Sequence, residues 1–458
     1  MTEQINENAI MTVEDSELLN GNVSSLFRKY AFMACIGALG SCIAVILDGF
    51  FMGNGVGEMA LAGISIVITF MYFMLALTNM YGIGASTVAG IMLGKGDTEE
   101  ARKVYGATLA GQVIIAIVVA VIVMSFLEPI LVFLGATSDV LPYAVHYSNY
   151  FWPLFPLVCI GMHSYFFCRL AEKPTAAMVA FVLAAVSAII VEYVLVFKFH
   201  WDTAASALDC VIGIAGMVIL VPYMQVSKNV FTLKLSDLKP VLSYNIQTIK
   251  IGFPMFVVNF CPLITTVVIN RQLIAYGGND LHIAAFGIFN AYVVYVMTAI
   301  TNSLAQGLQP IASVNYGAKQ FGRLRTLIKT SIGQSFVVML ALQVLVMVFA
   351  TPIVGFFAGG AGELTDIAVH AMRIFILLYA FGNIATLVGG YYIGVEKMGL
   401  ALLNSLTRVI IFAVPLLFII PAIAGLDGVW YAQPVADVFA CLVAMICIVK
   451  EYKSLGKN

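Results

Sequence analysis

The sequence predicts an all-α polytopic membrane protein with twelve transmembrane helices in two parallel-repeat lobes of six helices each. Three observations predict this fold: the composition is strongly apolar, twelve runs are long enough to cross a bilayer, and the second half of the chain repeats the first. Of the 458 residues, 61% are hydrophobic and only 10% are charged. A soluble globular domain carries about 25% charged residues, so the chain belongs in a membrane.

Twelve apolar runs can each span a bilayer, which takes about 20 residues in a helix. They fall near residues 28–53, 59–93, 101–127, 140–168, 174–198, 204–226, 246–276, 283–315, 324–350, 365–394, 399–420 and 428–449. Several exceed about 25 residues, so we expect those helices to tilt, kink or extend into water.

The basic residues support this count. Of the 23 Lys and Arg residues, 19 lie on the faces that alternate with the spans as cytoplasmic, and the opposite loops hold only Lys198. The other three, Arg271, Arg373 and Arg408, lie inside or at the edge of spans. Because cytoplasmic loops are enriched in Lys and Arg, both termini are predicted to be cytoplasmic.

The second half of the chain resembles the first. A shift of 223 residues aligns GIGASTVAGIMLGKGDTEEAR (82–102) with AQGLQPIASVNYGAKQFGRLR (305–325). A shift of 224 residues aligns His146, Phe151, Glu172 and Lys173 with His370, Phe375, Glu396 and Lys397. A duplicated unit of six helices inserts twice in the same orientation, as in secondary transporters built from parallel repeats.

The repeat predicts two lobes, residues 26–230 and 231–458, preceded by a tail of residues 1–25. The tail is acidic and has no Lys or Arg. A secretory signal begins with a basic segment, so we expect a disordered cytoplasmic tail instead.

Composition and motifs argue against several other classes. The net charge of −1 gives no basic surface for nucleic acid. The eight cysteines stand singly in apolar runs, with no CxxC pair or neighbouring His at metal spacing. GIMLGKGD (90–97) lacks the GK[ST] of a phosphate-binding loop. No HExxH or GxSxG motif is present, so an enzyme is not expected.

Three acids fall within the apolar runs of the first half. Asp48 is the only charge between Tyr30 and Gly55, Glu192 lies between SAIIV and YVLVF, and Asp209 lies early in the sixth run. A charged residue at the centre of a membrane helix costs about 2.5–3.5 kcal/mol, so such residues usually serve a function. The alternatives are a structural Asp48 that caps a turn at Gly49, and an Asp209 that pairs with Lys198 or His200.

On the basis of these residues and the duplicated segments, the chain resembles the multidrug and toxic compound extrusion (MATE) transporters over nearly its whole length. The most specific segments are LDGFFMGNGVGEMALAG in the first span, GLQPIASVNYGAKQFGRLR after the eighth, and GLDGVWYAQP leading into the twelfth. The resemblance implies two six-helix lobes with a cleft between them, and export of organic compounds driven by a sodium or proton gradient.

The resemblance also implies site residues. Asp48 occupies the position of the family's first-span acid, a cation or proton site. The family's Asn-x-x-x-Asp of the fifth span appears here as Ala188 and Glu192, and its small Thr of the sixth span appears as Cys210, preceded by Asp209. Sodium prefers several hard oxygen ligands, so these replacements favour protons, although Asp209 keeps a sodium site at Asp48 open as the alternative.

The second half offers candidates of other kinds. Arg408 and Asp437 are predicted to form a buried ion pair that is structural. Amide and phenol groups on apolar helices are candidates for the substrate cleft, with interhelical hydrogen bonding as the alternative; they are Asn259, Asn290, Tyr292 and Asn383.

We therefore expect a cation-coupled antiporter that exports amphipathic, often cationic organic compounds by alternating access, with protons favoured over sodium as the coupling ion. A lipid-linked oligosaccharide flippase of the same superfamily is the alternative. The expected location is the plasma (inner) membrane, with the bilayer and small organic substrates as partners. We expect no cofactor, no nucleic acid and a functional monomer.

Overall fold

The computed structural model describes residues 16–227, 229–277 and 279–456, in which all regular secondary structure is helical. Eleven helices in this part are long and apolar enough to cross a membrane, and a bent pair supplies a twelfth span. Numbered 1 to 12 in chain order, the spans are Val23–Gly55, Glu58–Gly94, Thr98–Ser125, Leu141–Leu170, Pro174–Phe197, Thr203–Val226, Leu242–Ala275, Asp280–Gly317, Phe321–Val348, Glu363–Phe375 with Tyr379–Gly394, Met398–Ala424 and Leu426–Ser454. The predicted fold class is confirmed.

The internal repeat is visible in the backbone. Glu172 and Glu396, which the repeat aligns, both adopt left-handed conformations, with φ of 62° and 56°. Each repeat also has a short helix after its third span, Leu127–Phe133 in the first and Ala350–Phe357 in the second. Residues other than glycine rarely adopt positive φ, so the recurrence at matching positions marks two copies of one unit.

The described chain separates into two compact units that do not follow a single boundary near residue 230. The first unit contains the described residues up to Gly21 and Phe32–Gly252, and the second contains Asn22–Ala31 and the chain from Phe253 onward. Span 7 therefore begins in the first unit. A Cβ added at Gly252 would lie 1.9 Å from the carbonyl oxygen of Met80, so glycine permits this close contact between spans 7 and 2.

The loop before span 7 is fixed to the first unit by an ion pair. Asp237 lies in the helical turn Leu235–Leu238 and is almost fully buried. Its Oδ2 accepts hydrogen bonds from Arg102 Nε at 2.9 Å and from the backbone N–H of Lys234 at 3.1 Å. Burial raises the pKa of Asp237, but these two bonds, together with the charge of Arg102 and a hydrogen bond from Ser236, hold it below its usual value.

The start of the described chain corrects one prediction. Residues 1–15 lie outside the described residues, but residues 16–25 are ordered, so a disordered tail is wrong for that segment. The carboxylate of Glu172 accepts hydrogen bonds from Ser16 Oγ and from the backbone N–H groups of Glu17 and Leu18. Leu18 is 1% exposed, so apolar burial and Glu172 together hold the short helix Glu17–Asn20.

Four spans depart from regular α-helix, and the first of them, span 6, contains a 3₁₀ turn at Gly216–Ile219. Span 8 contains a π-helical segment at Asn290–Val294, and span 11 contains one at Thr407–Ala413. Span 10 bends by 53° between its two halves. Gln343 of span 9 stabilises this bend, because its Nε2 donates to the carbonyl of Leu377 at 2.6 Å and its Oε1 accepts from the N–H of Ala380 at 2.9 Å. Those backbone groups would otherwise lack a partner in the apolar interior.

Candidate functional site

Three carboxylates from three different spans meet inside the first unit. Asp48 of span 1, Glu192 of span 5 and Asp209 of span 6 each place a carboxylate oxygen within 4.8 Å of the other two. Glu192 is 0% exposed and Asp209 is 7% exposed. Both oxygens of Glu192 and one oxygen of each aspartate are buried without a hydrogen-bond partner among the described residues.

Small residues bring spans 5 and 6 together at this cluster. Ala188, one turn before Glu192, lies 3.6 Å from where a Cβ on Gly213 would stand. A Cβ on Gly216 would lie 2.7 Å from Cβ of Ala184. Glycine and alanine at helix contacts let the backbones approach closely in a membrane, and this approach carries Glu192 towards Asp209.

Span 1 packs against span 5 in the same way. A Cβ on Gly55 would lie 2.2 Å from Val196, and one on Gly37 would lie 2.8 Å from the ring of Phe181. One turn from the acids, Phe51 makes edge-on ring contacts with Tyr193 and Phe197, each with centroids 5.8 Å apart. These contacts fix Asp48 beside Glu192.

The positions of Asp48 and Asp209 can be compared with the structural alternatives given above for these two acids. Asp48 lies within the continuous helix Val23–Gly55, about two turns before its end, so it does not cap a turn at Gly49. Asp209 lies beside the other two acids, near the start of span 6.

Sulfur and phenol groups surround the acids. Met71 of span 2 accepts hydrogen bonds from Tyr147 Oη at 3.3 Å and from Cys210 Sγ at 3.4 Å. Both donors lie within electrostatic range of Asp48. The side chain of Cys210 is therefore engaged with a thioether, and Ala188 supplies no polar atom, so neither residue adds a hard oxygen beside the carboxylates.

The cluster needs positive charge to be stable in its ionised form. Two unit charges 4.8 Å apart repel by at least about 3 kcal/mol at an effective dielectric constant of about 20, and three such pairs sum to about 10 kcal/mol. Protons or a bound cation can supply the compensating charge. A cation that contacts two oxygens at about 2.4 Å each fits between groups at this separation.

The second unit has a polar centre of a different kind. Arg408 of span 11 pairs with Asp437 of span 12, with Nε and Oδ1 2.8 Å apart. Gln433 donates to the same oxygen at 3.0 Å, and the guanidinium lies 4.6 Å from the ring centroid of Tyr379. The predicted ion pair is thus present and already compensated. Gln433 and Tyr379 were not predicted; the spacing of four residues between Gln433 and Asp437 is the signal for the first.

The proposed cleft residues lie in separate surroundings within the second unit. Asn259 donates to the carbonyl of Met255 in its own helix at 2.8 Å. Asn290 and Tyr292 lie in the π-helical segment of span 8, where Tyr292 stacks on Phe357 with centroids 4.0 Å apart. Asn383 is 0% exposed, and both of its amide atoms lack a partner in the described chain. Their role in a cleft stays a prediction.

Sequence comparison identifies relatives over nearly the whole chain. The profile of the MatE family matches residues 34–194 and 251–419. The multidrug export protein MepA of Staphylococcus aureus is 26% identical over 449 residues, which cover 95% of this chain and 96% of that protein. MepA of Staphylococcus saprophyticus is 24% identical over 442 residues, with the same coverage of both chains.

Solved structures of transporters have the same fold. An outward-facing multidrug resistance MATE family transporter of the MOP superfamily superposes with a TM-score of 0.90 at 17% identity, over 96% of this chain and 98% of that chain. A MOP superfamily transporter from Pyrococcus furiosus superposes with a TM-score of 0.88 at 18% identity, over 96% and 98% of the two chains.

Twelve spans in two repeated units, with unpaired acids inside the first, define a multi-pass membrane transporter. The family profile covers most of the chain, and the chain belongs to the MatE family. The predicted family is therefore confirmed.

Proposed function

We propose that this protein is a cation-coupled antiporter that exports amphipathic, often cationic organic compounds by alternating access. The relatives named multidrug export proteins support export as the direction of transport. The observation that carries the coupling proposal is the meeting of Asp48, Glu192 and Asp209 within 4.8 Å, with Glu192 and Asp209 buried and Asp48 half-buried. Transport driven by an ion gradient, and not catalysis, is the activity we assign.

Protons are the favoured coupling ion. One sodium ion neutralises one of three carboxylate charges, so the remaining repulsion of at least about 3 kcal/mol still favours a proton on the cluster. Protonation needs only the acids themselves, and they are present. The neighbouring Ala188 and the engaged thiol of Cys210 add no hard oxygen for sodium.

Sodium is the alternative, and the same three side chains would hold it. Asp48, Glu192 and Asp209 would each offer one carboxylate oxygen, and the ion would supply positive charge. In either case the first unit loads the cation from outside and discharges it inside, while the substrate moves outward. Since the acids come from spans 1, 5 and 6, relative movement of these helices changes the affinity for the cation.

The protein is further proposed to act as a monomer in the plasma (inner) membrane, with both termini in the cytoplasm. The asymmetry of basic residues supports this orientation. One chain contains both repeated units, which supports function as a monomer. No cofactor or nucleic acid partner is proposed.

Transport of a fluorescent organic cation in proteoliposomes tests this function. A proton gradient and a sodium gradient are imposed separately on wild type, Asp48→Asn, Glu192→Gln and Asp209→Asn. Asp139→Asn is the matched control, because Asp139 is an exposed acid of the same unit. The proton gradient alone is expected to drive wild type and Asp139→Asn, and each cluster variant should lose at least about tenfold in rate, or about 1.4 kcal/mol.

The other outcomes separate the parts of the proposal. Transport driven only by sodium would make sodium the coupling ion at the same acids. Cluster variants that transport at the wild-type rate would remove these acids from coupling. Transport that needs neither gradient would refute the antiporter.

A further inference from the structure

A cavity of about 420 Å³ lies at the bend of span 10 in the second unit. It is lined by Met347 of span 9, by Thr351 of the following short helix, and by Ile374 and Leu377 near the bend. Tyr431 of span 12 completes it. Its volume falls in the range of about 300–1,000 Å³ that is usual for small-molecule sites.

Two opposite charges line this cavity without a partner. Asp366, His370 and Arg373 follow one another at helical spacing along one face of span 10, and all three border the cavity. His370 pairs with Asp427 at 3.2 Å. Within the described chain, the carboxylate of Asp366 and the guanidinium of Arg373 have neither an ion pair nor a side-chain hydrogen bond, so both are open to a ligand.

The order of groups along span 10 indicates what that ligand is. Asp366 lies near the helix start at Glu363, and Arg373 lies about 10 Å further into the span at 1.5 Å per residue. Leu377 lies deeper still and is 44% exposed, and it borders the cavity together with Met347 and Ile374. From the end of the span inwards, the surface is therefore acidic, then basic, then apolar.

A phospholipid with an amine headgroup has the complementary order. Its ammonium lies outermost, its phosphate lies below, and its acyl chains lie deepest. Arginine binds phosphate oxygens through two parallel N–H groups, and a long side chain at this depth extends towards the interface, which shortens the separation from Asp366. A small organic cation would use Asp366 and leave Arg373 without a partner.

The first repeat indicates that these charges are not needed for the fold. It retains the histidine pair, since His146 binds Asp202 as His370 binds Asp427. At the shift of 224, however, Asp366 aligns with Pro142, and Arg373 aligns with Asn149. The same helix therefore forms in the first repeat without either charge.

We propose that this cavity binds the headgroup of a zwitterionic phospholipid that carries a primary amine. Arg373 holds the phosphate, Asp366 accepts hydrogen bonds from the ammonium, and Leu377 with its apolar neighbours contacts an acyl chain. This binding is independent of the transport activity and of the coupling ion.

Native mass spectrometry of the purified full chain tests the site. Wild type, Arg373→Asn and Asp366→Asn are titrated with phosphatidylethanolamine, phosphatidylcholine and phosphatidylglycerol of identical acyl chains. Lys198→Asn is the control, since it removes an exposed positive charge from the other unit. Both cavity side chains are exposed, so all variants should fold, and their melting temperatures are checked first.

Wild type should bind phosphatidylethanolamine most tightly, because the quaternary ammonium of phosphatidylcholine has no N–H to donate. Arg373→Asn should weaken all three lipids about tenfold, or about 1.4 kcal/mol. Asp366→Asn should weaken phosphatidylethanolamine alone by about the same factor, and Lys198→Asn should match wild type. Inorganic phosphate should not displace the lipid.

Three results would overturn the assignment. The first is an affinity for phosphatidylethanolamine that is the same in Arg373→Asn and Lys198→Asn. The second is a preference for phosphatidylglycerol that Asp366→Asn leaves unchanged, since this would assign an anionic lipid. The third is displacement of the lipid by a soluble organic cation, which would make the cavity a cargo site.

Discussion

Loss of the Asp437 carboxylate is expected to destabilise the protein strongly. Asp437 is 0% exposed and its partner Arg408 is 14% exposed, so Asp437→Asn leaves a guanidinium in the interior without a counter-charge. Breaking a buried ion pair in this way costs about 3–5 kcal/mol. Tyr379 keeps its contact with the cation, which is worth up to about 2 kcal/mol when desolvated, so we expect the lower end, about 3 kcal/mol.

Two further variants distinguish the effect of breaking the ion pair from a non-specific effect of substitution on stability. Replacing both partners in Arg408→Met/Asp437→Leu removes both charges and should restore most of the lost stability. Arg271→Met removes an exposed arginine from span 7 of the same unit, and should change the free energy of unfolding by less than about 0.5 kcal/mol.

The assay is a denaturant titration in mixed micelles, which gives the free energy of unfolding, together with transport per folded molecule in proteoliposomes. Asp437→Asn and Arg408→Ala should lower stability and folded yield, while each folded molecule transports at nearly the wild-type rate. An Asp437→Asn variant as stable as Arg271→Met would refute the structural role. So would a double variant as unstable as the single ones, or normal yields with lost transport.

Three other predictions concern the first unit. Glu172→Gln should speed hydrogen exchange at residues 17 and 18 about tenfold, because an ionised acceptor of two backbone N–H groups is lost; Glu396→Gln, at the equivalent position of the second repeat, should not. Gly216→Val places a side chain 2.7 Å from Ala184 and should cost about 1–3 kcal/mol, measured by thermal unfolding. Asp237 has a lowered pKa, so its stabilisation over Asp237→Asn should be complete at neutral pH and fall as the pH drops below about 4; a difference that persists at lower pH would contradict this.

Much of the architecture follows from the sequence alone. The predicted spans agree with the observed helices to within a few residues, because runs of about 20 apolar residues have few alternatives in a membrane. The bend of span 10 could not be predicted in this way. Its second half has no proline at the bend, and the stabilising side chain, Gln343, comes from span 9.

The candidate site was predictable in its residues but not in its geometry. Each acid stood out singly because a charge in an apolar run is costly. Their meeting depends on contacts between non-adjacent spans, such as Gly55 of span 1 with Val196 of span 5. A pattern along one helix carries no information about which neighbour it will contact.

The two repeats also separate what the fold requires from what a site requires. At the shift of 222 residues that aligns Gly55 with Gly277, Asp48 aligns with Asn270. The second repeat therefore forms the same spans without this acid, and its interior charge, Asp437, is compensated by Arg408. Since the second repeat forms these spans without an acid at this interior position, Asp48 is not needed to form them. We propose that an exchangeable cation accounts for these acids, which assigns the coupling step to one half of a duplicated protein.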